Sequence, residues 1–212
     1  MKTRLLIARH GNTFNPDECA RRVGTTDLPL VNSGLIQGEL LGRYLKLHNM
    51  LPDIIYTSTL QRTLQTAQRA QFAMQTSVLV SELSIFNEID YGVDENQPED
   101  KVIGRVGVGA LQAWEKAAIV PPGWHVNPTE IIQHWHDFTA RLKQEHQGKT
   151  VLVVTSNGIA RFSPHLTGDF AAFAAKHPIK IATGALCIFE NRAPSMQWNC
   201  LGWNIRPKDE AR

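Results

Sequence analysis

Continuous apolar runs alternate along the chain with stretches in which apolar residues recur every three to four positions, the pattern of parallel strands joined by crossover helices. The first run, Leu5-Leu6-Ile7-Ala8, reads as a buried strand. A helical period follows from Asn32-Ser33, read as the cap, through Leu35, Leu40, Leu41, Tyr44, Leu45 and Leu47, and Pro52 ends that unit. A second strand, Asp53 to Thr57, enters Ser58-Thr59, either of which can cap a helix carrying Thr66, Ala67 and Ala70. The short apolar segment Val78-Leu79-Val80 precedes an acidic stretch, Asn87-Glu88-Ile89-Asp90-Tyr91-Gly92. From Glu95 to about Gln147 the period is mostly helical, broken at Pro121-Pro122-Gly123 and recapped near Pro128-Thr129-Glu130. We read about 93–147 as a helical insertion, a flap beside the sheet, within a single domain spanning 1–212.

The clearest strand is Thr150-Val151-Leu152-Val153-Val154, β-branched and apolar as a centre strand buried on both faces must be. It empties into Thr155-Ser156-Asn157-Gly158, after which Ile159-Ala160-Arg161-Phe162 opens a helix whose free N–H groups suit an anion. A last pair of strands, Ala185 to Glu190 and about Met196 to Leu201, completes the sheet.

Charge and cysteine usage narrow the partners. Lys and Arg total 22 against 20 Asp and Glu in 212 residues, a net charge of +2 too small and scattered for a nucleic-acid groove or an anionic membrane. The expected partner is a small molecule. Cys19, Cys187 and Cys200 are odd in number and widely spaced, which disfavours a disulfide framework and a structural zinc site and points to a reducing cytoplasm. The apolar residues before His10 are too few for a signal peptide, and no later run approaches a membrane span. His134 and His136, two apart around Trp135, fall on different helical faces and make poor joint metal ligands. Trp114, Trp124, Trp135, Trp198 and Trp203 read as core and flap packing.

The candidate chemistry sits where strands end. Arg9-His10-Gly11 follows the first strand directly, and a basic residue, Arg62, again lies near the end of the second. In an open α/β sheet ligands bind outside the carboxyl ends of the strands, so a nucleophile and two guanidinium groups there point to phosphate chemistry.

Four ordered blocks, Arg9-His10-Gly11-Asn12-Thr13, Arg21 to Gly34 with Gly24 and Asp27, Ser58 to Ala67 with Arg62, and Asn87 to Gly92, resemble the signatures of the histidine phosphatase superfamily, phosphoglycerate-mutase-like branch. The resemblance implies a three-layer α/β/α sandwich with a mostly parallel central sheet and one pocket at its carboxyl edge. It further implies that His10 attacks phosphorus, that Arg9 and Arg62 hold the phosphoryl oxygens, and that Glu88 protonates the leaving alcohol. The substrate expected is a small phosphate monoester, with no metal and no cofactor.

Several positions depart from the family pattern. Where a second histidine usually precedes glycine the chain has Asn157-Gly158, an uncharged donor in place of an imidazolium. By analogy with losing one oxyanion donor, this costs ~3 kcal/mol of transition-state stabilisation. Asn12 and Thr59 replace a usual glutamate and proline, and Val93-Asp94-Glu95-Asn96 stands where Trp-Glu-Gly is common. Arg21 keeps its spacing to Gly24 and is the candidate rim contact. His165 and His177 lie downstream, and their spacing does not demand a place at the site. Hydrolysis of a small phosphate monoester is the leading expectation. A phosphate-binding pseudoenzyme is the alternative that Asn157 favours, and phosphoglycerate mutase ranks third.

Overall fold

The computed structural model describes residues 1–195 and 197–208. Its strands and helices are, in chain order, β1 (Lys2–Arg9), β2 (Arg21–Arg22), α1 (Asn32–Leu47), β3 (Ile54–Thr57), α2 (Gln61–Met74), β4 (Val80–Glu82), β5 (Gln97–Pro98), α3 (Glu99–Ala117), α4 (Pro128–Glu145), β6 (Thr150–Thr155), α5 (Asn157–Ala160), α6 (Phe170–Lys176), β7 (Leu186–Arg192) and β8 (Asn199–Ile205). Six strands form one sheet in the order β4-β3-β6-β1-β7-β8, and β2 with β5 forms a small separate ladder. Pairing is parallel from β4 to β1 and antiparallel at β7 and β8.

Alternation along the central strands builds three layers. β1 and β6 lie in register, Leu5 opposite Val151 through Ala8 opposite Val154, and all eight side chains are fully buried. Leu6, Ala8, Leu152 and Val154 face Leu41 and Leu45 of α1 and Ala67, Ala70 and Met74 of α2. Their neighbours Leu5, Ile7, Val151 and Val153 turn to the other face, into an aromatic core with Phe86, Trp114, Trp135, Phe138 and Phe162. Each large side chain so buried contributes ~1.5–3 kcal/mol. Trp114 and Trp124 pack edge to face, as do Tyr91 and Trp124, so these tryptophans are core residues. Helices α3 and α4 join this core through Val102, Leu111 and Trp114 and through Trp135, Phe138 and Leu142.

Several boundaries differ from the sequence-based expectation. The N-cap of α1 is Val31, not Asn32-Ser33; Asn32 is already helical, and the Ser33 hydroxyl accepts a bond from Asn12 Nδ2. Leu60 is the N-cap of α2, while Ser58 lies two residues before it, accepting from Leu60 N–H and pairing with Thr63 Oγ1 at 2.7 Å. Strand β4 starts at Val80, where pairing with Ile55 of β3 begins, and Leu79 before it is 79% exposed. Gly107 interrupts α3 with φ of +81°, and β8 runs on to Ile205. Met196, expected to begin the last strand, lies outside the described residues. The N-cap of α4 is Asn127, whose side chain accepts from Glu130 N–H with Pro128 in the first turn.

Cys19 is exposed, Cys200 half-buried in β8 and Cys187 buried in β7, and all three are free thiols. Burial raises the pKa of Cys187, and it pushes that of Cys200 up to about 11. Among the described residues no helix is long and apolar enough to cross a membrane.

Glycines every four residues let α1 lie against its neighbours. A Cβ at Gly34 would stand 2.2 Å from Asn12 O, and one at Gly42 would stand 2.2 Å from Ala70 O on α2. Both obstacles are backbone and cannot swing aside. Gly42→Ala is therefore expected to lower stability by ~1–3 kcal/mol through overpacking, measured as an earlier midpoint in urea with an unchanged slope.

Candidate active site

Strand β1 delivers Arg9 and, one residue past its end, His10. Two neighbouring segments pin that end: His10 N–H donates to Thr155 O at 3.0 Å, and Gly184 N–H donates to His10 O at 3.0 Å. Gly11 N–H donates to Thr66 Oγ1 at 3.0 Å, and the same hydroxyl donates to Arg62 O. A side chain at Gly11 would strike Gly34 O at 2.3 Å, so the loop after β1 is closed against α1.

His10 is 6% exposed, with Nδ1 2.7 Å from Gly11 O. A carbonyl can only accept, so Nδ1 carries the hydrogen and Nε2 keeps its lone pair. Burial, then the nearby Arg9 and Arg62 charges, hold the imidazole pKa well below its ordinary value. The ring is neutral at physiological pH and able to act as a nucleophile.

Two guanidinium groups, Arg9 and Arg62, share the pocket with this ring, and a third, Arg161, is buried within electrostatic reach of Arg9 and Glu88. Arg62, on the first turn of α2, donates from Nη2 to Gly24 O at 2.6 Å and from Nη1 to Thr26 O at 2.8 Å. Arg9 donates from Nη1 to Ile181 O at 2.7 Å, and its Nε is buried without a hydrogen-bond partner among the described residues. Arg161 donates to Trp114 O at 2.8 Å and covers the Trp114 ring at 4.0 Å. Burial lowers the pKa of all three, while Glu88 opposes the shift from a distance. Backbone carbonyls satisfy donors without cancelling charge, so the positive potential persists for an anion.

Glu88 enters from the segment before β5. Its Oε1 accepts from Ile89 N–H and its Oε2 from Gly158 N–H, both at 3.0 Å. The second bond ties it to α5 beside Asn157. Asn157 Oδ1 accepts from Ile181 N–H at 2.8 Å, which orients the amide so that Nδ2 is the free end.

Arg9, His10, Arg62, Glu88, Asn157 and Arg21 all line one pocket of about 660 Å³ at the carboxyl edge of the parallel strands. Arg21, on β2, stands at its exposed border over the Phe14 ring at 5.6 Å. Further lining residues that sequence reasoning did not assign to the site include Tyr91, Arg22, Lys180 and Glu115. Tyr91 is buried, and burial together with the Glu88 charge raises its pKa. Arg22 pairs with Glu99 and lies over the Tyr91 and Trp124 rings. Lys180 pairs with Glu115 at 3.4 Å. His165 and His177 are not lining residues; His165 stacks on Phe170 and His177 packs against Phe173.

The architecture is that of an open α/β protein whose pocket gathers an imidazole, guanidinium groups and a carboxylate at the strand ends. The chain belongs to the histidine phosphatase superfamily (branch 1), whose family model it matches over residues 5–206. It is 29% identical over 198 residues to a 2,3-bisphosphoglycerate-dependent phosphoglycerate mutase of Rhodococcus jostii, covering 77% of this chain and 76% of that protein. The match to the enzyme of that name from Leifsonia xyli, 30% identical over 120 residues, covers 56% of this chain and about half, 47%, of the relative. Among solved structures, a mycobacterial glucosyl-3-phosphoglycerate phosphatase superposes with a TM-score of 0.79 at 19% identity, covering 97% of this chain and 100% of that one.

The Glu88–Gly158 contact leaves no room for a side chain. A Cβ at Gly158 would lie 2.2 Å from Glu88 Oε1. Gly158→Ala is expected to displace the carboxylate and lower any Glu88-dependent turnover by roughly 10²-fold, while the thermal midpoint moves little. Paired activity and melting measurements check it.

Proposed function

We propose that this protein hydrolyses small phosphate monoesters through a phosphohistidine. The observation that carries the reading is the neutral His10 imidazole, its Nδ1–H bound to Gly11 O and its Nε2 free, in one pocket with Arg9 and Arg62. Phosphoryl transfer asks a protein chiefly for position and for positive charge around the transferring group, which two anchored guanidinium groups supply. Nε2 of His10 forms the N–P bond as the ester P–O bond breaks, and Glu88, which takes up a proton as the phosphate ester binds, gives that proton to the departing alkoxide. Water then attacks phosphorus, Glu88 takes a proton from it, and His10 leaves with its electron pair as inorganic phosphate is released. Asn157 Nδ2 donates to a phosphoryl oxygen throughout. Membership of a superfamily that includes phosphatases and mutases supports the assignment. A cytoplasmic location fits three free thiols.

Asn157 favours a second reading. An amide offers a hydrogen bond but no charge, so the pocket could serve to bind a phosphorylated ligand without turnover. Phosphoglycerate mutase is a third reading, supported by the names of the curated relatives. p-Nitrophenyl phosphate separates the first two: release that falls by roughly 10⁴-fold or more in His10→Ala supports the hydrolase, and tight phosphate binding without release supports the binding protein. Asn157→His is expected to raise the rate if the missing charge limits it.

The pH profile gives a second check. Protonation removes the His10 lone pair, so rate falls as pH drops through its lowered pKa. The His10-dependent acid limb of kcat/KM is expected well below pH 6.5, the ordinary imidazole value. A limb centred at 6.5 would count against a buried nucleophile flanked by cations.

A further inference from the structure

The pocket holds more cationic groups than a phosphoryl seat uses, and they are held differently. Arg22 is locked: two of its nitrogens bond to Glu99, and its guanidinium covers two aromatic rings. Lys180 is loosely held. Its one ion pair among the described residues, to Glu115 Oε1 at 3.4 Å, joins side chains 58% and 30% exposed, the kind of contact that contributes little and exchanges readily.

The backbone of Lys180, by contrast, is fixed to the reaction centre. One residue on, Ile181 donates its N–H to Asn157 Oδ1 and accepts from Arg9 Nη1. Two residues further, the Thr183 hydroxyl donates to Asn12 Oδ1 at 2.5 Å. A flexible ammonium thus rises from a segment that touches two groups of the phosphoryl seat, Arg9 and Asn157, and the pocket-lining Asn12. Both Lys180 and Glu115 line the pocket, whose volume of about 660 Å³ far exceeds what a phosphoryl group fills.

Resting on the phosphomonoesterase reading, we propose that Lys180 determines specificity by receiving a second anionic group on the body of the substrate. Glu115 holds the ammonium in position and yields it when that group arrives. The ligand class is a phosphate monoester with a carboxylate or a further phosphate on its leaving group. Glu115 acts as a placeholder and competes with the substrate for the same cation.

The competition has a sign that tests it. Phenyl phosphate and its 3- and 4-carboxylated analogues differ only in the added anion, so the ratio of their kcat/KM values reports selectivity and is insensitive to a uniform loss of folded enzyme. Lys180→Met is expected to lower the carboxylated-to-plain ratio by roughly tenfold, the loss of a hydrogen bond between charged groups, and Lys180→Arg to retain most of it. Glu115→Gln is expected to raise the ratio by roughly threefold, because the competitor is gone. A merely structural ion pair would leave the ratio unmoved in both variants. A ratio that falls in Glu115→Gln would instead mark the carboxylate as the recognition group, and either result overturns the proposal. If the wild-type protein releases no phosphate, the hydrolase reading fails by itself. The esters are then inert ligands, and the ratio of their Kd values from calorimetry carries the same test.

Discussion

Burying a guanidinium without a carboxylate against it is the constraint around which this molecule is organised. Removing an ion from water costs several kcal/mol even after relaxation, and Arg9, Arg62 and Arg161 all meet that cost with backbone carbonyls. The carbonyls of Gly24, Thr26, Ile181 and Trp114 come from distant parts of the chain, so Arg9 and Arg62 each pin a loop and Arg161 pins the last turn of α3. Because carbonyls are dipoles and not charges, the positive field survives. That field helps hold His10 neutral and prepares the pocket for an anion.

Close backbone packing makes such pinning possible. The approach of Gly11 to Gly34 and of Gly42 to Ala70 brings the loop after β1, the start of α1 and the α2 helix into direct contact. Thr66, on α2, then bonds both to Gly11 and to the carbonyl of Arg62 four residues earlier. His10 and Arg62 are therefore held by parts of one connected assembly, linked through Thr66.

The features legible in the sequence are those with a local signature. β1, β6, α1 and α2 follow from apolar runs and helical periods, and Arg9, His10 and Arg62 could be located because strand ends in α/β sheets are where chemistry gathers. Helix starts were less legible: Asn32 and Ser58 have the right side chains for caps, but tertiary contacts to Asn12 and Thr63 claim the hydroxyls nearby, leaving Val31 and Leu60 at those positions. Arg22 and Lys180 carry no local mark, and Tyr91, though inside the Asn87 to Gly92 block, has nothing in its own neighbourhood that assigns it to the pocket. They reach the pocket only through folding that brings residues 22, 91, 115 and 180 together, and one sequence contains no signal for such pairings.

The distribution of thiols has a practical consequence. With Cys187 shut inside β7 and Cys200 half-covered in β8, Cys19 is the exposed sulfhydryl, and its immediate neighbours Glu18 and Ala20 border the pocket. A fluorophore attached there by maleimide chemistry sits on a stretch that borders the pocket. The protein as it stands thus carries its own attachment point for following occupancy optically, with no engineered cysteine required.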